Sequence, residues 1–196
     1  MHIWTIQPLN VWETLQRDGA VYVDEMRLPS NYVPDSYQWL VAQLIQRVPG
    51  YPGTLPWWAY CRKPDLRSHR HLQSGPQIRM ELEIADTELL SFPCWAWSRV
   101  FSSDYLAFTE GEYRAWSEPM RRAVPDVDQW RLPEPCRTEL ETSWHRLFSV
   151  DLPRCSWDPE RFVGEPDCRE AVFGRLRSAD VRAVTHFAGL ARRFEP

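Results

Sequence analysis

Residues 77–84 alternate strictly between polar and apolar side chains, and this pattern constrains the fold more than any other in the chain. A period of two residues is typical of a β-strand that has one face in a hydrophobic core and the other face outside it. The strand therefore belongs to a sheet that packs on one side against other elements. The apolar positions are Ile78, Met80, Leu82 and Ile84, and the polar positions are Gln77, Arg79, Glu81 and Glu83.

Helix signals occur on both sides of this strand. Pro8 suits the first turn of a helix that ends at Gly19, with Val11 and Leu15 on its apolar face. A second helix begins at Asp35 or Ser36, and its apolar residues repeat with helical period until the Pro-Gly pair at 49–50. These repeating residues are Tyr37, Leu40, Val41, Leu44, Ile45 and Val48.

The order of the predicted elements decides the fold class. It favours an α+β fold in which a single mixed, mostly antiparallel sheet has flanking helices, and the length favours one domain over 1–196. The glycine-rich phosphate loops of the doubly wound nucleotide folds do not occur in the sequence. We predict strands over 3–6, 20–23, 57–61, 77–84, 170–176 and 181–187, and helices over 8–19, 35–48, 93–101, 110–122 and 136–148.

The charge and composition limit the classes of partner. A net charge of −4 gives no general reason to bind nucleic acid or an anionic membrane, so only a local basic patch could bind nucleic acid. Lys63 is the only lysine among 23 basic residues, which is typical of a GC-rich genome and also suits bidentate anion recognition by arginine. Most of the 11 tryptophans are expected in the core, and a minority could form a stacking platform for a base or a nicotinamide ring.

The five cysteines are widely spaced and form no C-x-x-C pair, so the sequence predicts neither a zinc knuckle nor a dithiol motif. No export signal and no long apolar run is visible at the start of the chain or within it. We therefore expect a cytoplasmic protein with free thiols and no membrane contact.

Three groups of residues could carry chemistry. Glu81 and Glu83 share a strand face and could divide acid and base roles or hold a divalent cation, although a solvent-facing strand looks the same. The loop over 62–71 is basic and could bind a phosphate, or it is simply solvated. Glu170 precedes the apolar run 171–174. A carboxylate there either has a pKa shifted for a function or is simply solvated at the start of the strand.

Several segments together resemble a bacterial family that is known only as a domain of unknown function, number 3841 in that series. They follow the family's order over nearly the whole chain, and the resemblance implies a shared fold without an assigned activity. The segments are Trp4-Thr5-Ile6-Gln7-Pro8 with Trp12, Leu15 and Gly19; Tyr37–Leu40; Pro56–Ala59 and Lys63–Arg67; Glu81–Ile84 and Leu89–Ser91; Ser143-Trp144 with Leu147-Phe148; and Glu170–Phe173 with Asp180-Val181.

A second resemblance is to ADP-ribosyltransferase-like families, which open with a strand, a helix and a glycine and carry a catalytic Glu near the end. The strand Ile3–Gln7, the helix to Gly19 and Glu170 follow that plan, with Thr5 at the family's His or Arg position. This resemblance implies that NAD is the substrate or cofactor and that Glu170 steadies the ribosyl oxocarbenium ion or activates the acceptor. It implies catalytic roles for Glu170 and Thr5, and NAD-binding roles for Trp4, Gln7, Trp58 and Arg67.

Two other functions remain open from the sequence. The chain could be a non-catalytic binding module that holds a nucleotide, a nucleic-acid end or a partner protein with its tryptophans and the 62–71 loop. It could also be a metal-assisted hydrolase that uses Glu81 and Glu83, but no further ligand stands at a recognisable spacing, and we predict no metal site. The sequence leaves the oligomeric state open.

Overall fold

The computed structural model describes residues 1–23, 35–69, 75–123, 132–149 and 168–189. The chain forms two compact units, and each unit gathers segments that are distant in the sequence. The first unit contains 1–31, 40–91 and 169–196, and the second contains 32–39 and 92–168. The prediction of one domain over 1–196 stays a prediction. Most of the proline-rich stretch 149–168 lies outside the described residues, as do positions 70–74 of the basic loop.

The strands form a six-stranded sheet and a two-stranded sheet, and the larger one has the order β5-β6-β3-β1-β4-β8. β1 pairs antiparallel with both β3 and β4, β3 with β6, and β4 with β8. The predicted α+β class with a mostly antiparallel sheet is thereby confirmed. The strands are β1 (His2–Pro8), β2 (Ala20–Val21), β3 (Trp57–Tyr60), β4 (Gly75–Glu83), β5 (Leu89–Pro93), β6 (Arg169–Phe173), β7 (Leu176–Arg177) and β8 (Val181–Gly189).

The helices begin and end close to the predicted positions. Gly19 adopts a φ of 76° and its N–H donates to the carbonyl of Leu15, which is the left-handed helix end that glycine favours. In the described part of the chain, no helix is long and apolar enough to cross a bilayer. The helices are α1 (Leu9–Asp18), α2 (Asp35–Arg47), α3 (Leu66–His69), α4 (Cys94–Phe101), α5 (Glu110–Ala123) and α6 (Cys136–Trp144).

The core of the first unit lies on one face of the larger sheet. Ile78, Met80 and Leu82 of β4 are fully buried there, as their alternation predicts. Val11 and Leu15 of α1 pack into the same cluster. They form the apolar face of this helix, which covers the sheet directly after β1.

Several details differ from the predictions, and one of them is α3, which lies within the predicted loop 62–71. Ile45 is 56% exposed, because the buried face of α2 carries Leu40 and Leu44 together with the polar Gln43. β5 was not predicted, since its five residues, Leu-Leu-Ser-Phe-Pro, do not alternate between apolar and polar side chains. The predicted strand 170–176 is divided into β6 and β7 at Gly174, where a Cβ atom would lie 2.6 Å from the Pro52 ring.

The second unit is built around aromatic side chains and one buried ion pair. Arg99 and Asp104 are 6% and 4% exposed, and Nη1 of Arg99 donates to Oδ2 of Asp104 over 2.9 Å. The indole N–H of Trp144 donates to the carbonyl of Asp104, and the Arg99 guanidinium lies over the Tyr113 ring. Because a buried charge is costly when it is unpaired, removal of either Arg99 or Asp104 alone would leave the other as an uncompensated charge in this core.

A disulfide joins Cys94 and Cys168 within the second unit. The expectation of free thiols is therefore wrong for this pair, while Cys61 and Cys136 are free. The two bonded cysteines are 74 residues apart, so no spacing rule could reveal them. They meet because Cys94 follows β5, Cys168 precedes β6, and these strands are neighbours in the sheet.

We predict that Cys94→Ser lowers the free energy of unfolding of the oxidised protein by about 4 kcal/mol, because the bond closes a long loop in the unfolded chain. Urea denaturation followed by tryptophan fluorescence measures this. Cys136→Ser, which removes a free thiol of the same unit, is the control and should change stability little. Equal stability of Cys94→Ser and the parent would contradict the prediction.

Candidate functional site

The strand register brings side chains from four strands into one row on the face of the sheet opposite the core. Trp4 of β1 pairs with Tyr60 of β3 and with Glu81 of β4, and Tyr60 pairs with Glu170 of β6. Residues directly opposite each other in an antiparallel pair point to the same face. The row therefore reads Glu170, Tyr60, Trp4, Glu81.

Trp58 lies on the same face, two residues before Tyr60 on β3. Trp4, Trp58 and Tyr60 are all half-buried, whereas their neighbours Trp57 and Ala59 are buried in the core. The indole N–H of Trp4 donates to Oε2 of Glu81 over 3.2 Å, which holds the ring in place. We call this surface, formed by Trp4, Trp58, Tyr60 and Glu170, the aromatic face.

Glu170 is the half-buried carboxylate of the aromatic face. Burial raises the pKa of its carboxyl above the ordinary 4.5. Among the described residues no hydrogen bond or ion pair reaches this carboxylate. The adjacent Arg169 points to the other face, and its guanidinium donates to the carbonyl and hydroxyl oxygens of Ser91. When Glu170 is ionised, no group of the described residues therefore compensates its charge by a direct bond.

Tyr60 is a site residue that the sequence analysis missed. Burial raises the pKa of its phenol, and the nearby Glu170 carboxylate raises it further. The phenol therefore keeps its proton at neutral pH. A lone tyrosine in a short aromatic strand gives no signal in the sequence, because only the register with β6 sets it opposite Glu170.

Thr5 and Gln7 lie on the core face and not with Glu170. Thr5 is 1% exposed and pairs with the buried Met80 of β4. Its hydroxyl donates to the carbonyl of Trp58 over 2.8 Å and accepts from Nε2 of Gln7 over 2.7 Å. These contacts join β1 to β3 in the interior. The structure thus brings Trp4, Tyr60 and Glu170 together and separates Thr5 and Gln7 from them.

Arg67 lies on α3, and its exposed guanidinium is bound to the carboxylate of Asp65 over 2.8 Å. The structure does not bring it into the row with Glu170. A different arginine, Arg79 of β4, lies on the aromatic side of the sheet, where it donates to the carbonyl of Pro64 and the hydroxyl of Thr185. Arg79 pairs with Ile6, which is two residues after Trp4 on β1 and on the same face of the sheet. Arg79 therefore lies in the next row of side chains along the strands from the row that contains Trp4.

Glu81 and Glu83 do share a face, as predicted, and both have partners. Glu81 accepts from the Trp4 indole, and Nδ1 of His2 lies 3.5 Å from its other oxygen. Glu83 accepts from Nε of Arg182 over 2.8 Å, and this bond lowers the pKa of the Glu83 carboxyl. Among the described residues, no group of three or more His, Cys, Asp or Glu side chains could hold a metal ion.

The aromatic face suits a flat ring attached to a sugar. Trp4, Trp58 and Tyr60 offer ring surfaces for stacking, and a carboxylate such as Glu170 accepts hydrogen bonds from ribose hydroxyls. The phosphates of a nucleotide need a cation, and Arg79 is the arginine nearest to Trp4 in the register. The donor set therefore fits NAD or another nucleotide.

We predict that Glu170→Gln makes the protein more stable than the parent at neutral pH. Because the folded pKa is raised, the folded state binds more protons than the unfolded state between 4.5 and that raised pKa. The parent therefore loses stability as pH rises through this window and has recovered it fully once the pH is below 4.5. The glutamine variant has no such dependence.

Melting temperatures of the two proteins at several pH values test this, with Glu13→Gln on the exposed side of α1 as control. The stability difference should vanish at low pH for Glu170→Gln. A glutamine variant less stable than the parent at neutral pH would show instead that the carboxylate has a stabilising partner.

Comparison with known proteins gives one match. Neither the curated proteins nor the solved structures contain a match to the chain. The model of a family described as "Domain of unknown function (DUF3841)" matches residues 2–160, which include β1, β3 and β4 and end before β6. This match extends over more than half of the chain and agrees with the resemblance seen in the sequence. The chain belongs to the DUF3841 family of domains of unknown function.

Proposed function

We propose that this protein binds NAD on the aromatic face and transfers ADP-ribose from it, with Glu170 as the catalytic carboxylate. One observation carries the proposal, namely that Glu170 is half-buried and without a bonded partner in the described structure, beside Tyr60 and Trp4. A carboxylate in such surroundings costs stability unless a ligand supplies the missing partner.

The three aromatic side chains would hold the nicotinamide ring. Trp4 and Tyr60 are neighbours in the row, and Trp58 lies beside Tyr60 on the same strand face. Stacking on a tryptophan or tyrosine contributes about 1–3 kcal/mol per ring and tolerates different rings. The Trp4 ring is already fixed by its bond to Glu81, so little conformational entropy is lost when a ligand stacks on it.

Glu170 would act on the ribose. In the transfer, the bond between C1′ of the ribose and the nicotinamide nitrogen breaks, and nicotinamide leaves with the electron pair. The positive charge that develops on the ribose is stabilised by the Glu170 carboxylate, more strongly where water is partly excluded. The acceptor then bonds to C1′ and its proton passes to Glu170, whose raised pKa makes it a better base than an exposed carboxylate.

The pyrophosphate would be bound by Arg79. Its guanidinium is half-buried and held by Pro64 and Thr185, so it is oriented before a ligand arrives. Arg67, the arginine that the family resemblance suggests, stays a further prediction, since it would first have to leave Asp65. Thr5 and Gln7 would contribute indirectly, by fixing the β1–β3 pairing from the core side.

The proposal is tested by incubating the purified protein with NAD labelled in its adenosine part and a cell lysate, and by measuring released nicotinamide. We expect label on a macromolecule with the parent and a loss of about 100-fold or more with Glu170→Gln. Glu83→Gln is the matched control, because Glu83 is on the same face but is paired with Arg182. Equal activity of Glu170→Gln and the parent would contradict the role of Glu170.

A second candidate is a nucleotide-binding module without chemistry. The observation that favours it is the position of Thr5 and Gln7, since β1 offers the aromatic face an indole and no hydroxyl or amide. A nucleic-acid end or a partner protein could occupy the same rings. NAD that raises the melting temperature without release of nicotinamide would support this candidate, because a ligand stabilises the state it binds.

A cytoplasmic location is part of the same proposal. It is tested by alkylating thiols in the cells that produce the protein and then finding the modified cysteines by mass spectrometry. Disulfides are rare in reducing compartments, so a cytoplasmic location requires that the Cys94–Cys168 bond of the structure is reduced in the cell and that both thiols are alkylated there. A bond already present in the cell would contradict a cytoplasmic location.

A further inference from the structure

A concave site lies at the other end of β6, four residues from Glu170. It is a cavity of about 120 Å³ in the first unit, well below the roughly 300–1,000 Å³ of clefts that hold a whole drug-sized ligand. Four residues of a strand span about 13 Å, so this cavity is separate from the row that contains Glu170. Its lining includes Tyr22, the 49–52 turn, Glu88, Gly174, Arg175 and Arg177.

Gly174 shapes one wall of this cavity. A Cβ atom at this position would lie 2.6 Å from Cδ of Pro52 and 2.8 Å from Cε2 of Tyr51. The absence of a side chain therefore allows the 49–52 turn to approach the end of β6. Tyr51 is held there, because its hydroxyl donates to the carbonyl of Thr54 over 2.8 Å.

Arg177 forms a second wall and is fully engaged. Nη1 and Nη2 donate to the two carboxylate oxygens of Glu88 over 2.8 and 2.6 Å, and Nε donates to Asp180 over 2.6 Å. This bidentate bond lowers the pKa of the Glu88 carboxyl, which therefore stays ionised and neutralised by Arg177. The Glu88 carboxylate, the negative charge of the lining, is thus already bonded to an arginine before any ligand binds.

Arg175 is the third charged residue of the lining. Its side chain is exposed, and no carboxylate of the described residues lies within 4.0 Å of its guanidinium. Two arginines and one glutamate line the cavity, and Asp180 beside it also binds Arg177. Among the described residues, Arg175 is thus the lining cation whose N–H donors no carboxylate occupies, although its charge acts on Glu88 and lowers the pKa of that carboxyl. Tyr22, 45% exposed, adds a ring to the lining.

We infer that this cavity binds the phosphate group of a small phosphomonoester, with Arg175 as the anchoring cation and the Tyr22 ring against the organic part. A guanidinium presents paired N–H donors that match two phosphate oxygens, and the cavity is large enough for a phosphate but not for a dinucleotide. This site is independent of the proposed NAD site on the aromatic face.

Titration with ribose 5-phosphate and with inorganic phosphate, followed by amide NMR, tests the inference. We expect the amide signals of Gly174–Arg177 to shift, and ribose 5-phosphate to bind more tightly than inorganic phosphate. Arg175→Gln should raise the Kd for ribose 5-phosphate about tenfold or more. Arg182→Gln, which removes an arginine bound to Glu83 elsewhere, should leave that Kd unchanged.

Several outcomes would overturn the inference. Equal affinity of the parent and Arg175→Gln for ribose 5-phosphate would exclude Arg175 as the anchor. Equal affinity for ribose 5-phosphate and inorganic phosphate would exclude a role for Tyr22 and the organic part. If sodium chloride at the same ionic strength caused the same shifts of the Gly174–Arg177 amide signals, those shifts would report ionic strength and not phosphate binding. Glu170→Gln should keep phosphate binding, and Arg175→Gln should keep NAD-dependent nicotinamide release, so this inference and the proposed transferase function can fail separately.

Discussion

The pairing of β1 with its two neighbours determines which side chains can act together. β1 pairs with β4 through seven residue pairs and with β3 at Trp4 and Tyr60. Because side chains alternate along a strand, a slip of one residue would move Trp4 into the core and Thr5 onto the aromatic face. Such a slip would also remove the fully buried Ile3 from the core, so hydrophobic burial maintains the observed register.

The charged residues of the first unit show why Glu170 differs from its neighbours. Glu83 and Glu88 each accept hydrogen bonds from an arginine, and these bonds lower the pKa of each carboxyl. Glu170 lies beside aromatic rings instead, and burial raises its pKa. A chain that pairs Glu83 and Glu88 but leaves the half-buried Glu170 without a partner among the described residues accepts a loss of stability there, which is the pattern expected where a ligand completes the interaction.

Much of the fold could be predicted, because it depends on local patterns. The alternation over 77–84 and the stripe of Val11 and Leu15 are properties of nearby residues, so they predict β4 and α1 without tertiary information. The five residues of β5 do not alternate between apolar and polar side chains. The site was predicted in part, since Glu170, Trp4 and Trp58 share the aromatic face. Tyr60 and the cavity at Gly174 depend on contacts between distant segments and left no local signal.

The sequence by itself determined the α+β class, the family and the apolar side of β4 and α1, because periodicity and segment order are local quantities. Tertiary structure decided everything that depends on strand order and register. It set Trp4 and Tyr60 beside Glu170, turned Thr5 and Gln7 into the core, and joined Cys94 to Cys168 across 74 residues. The physical reason is that neighbours across a sheet are chosen by burial of the whole core, which no single segment encodes.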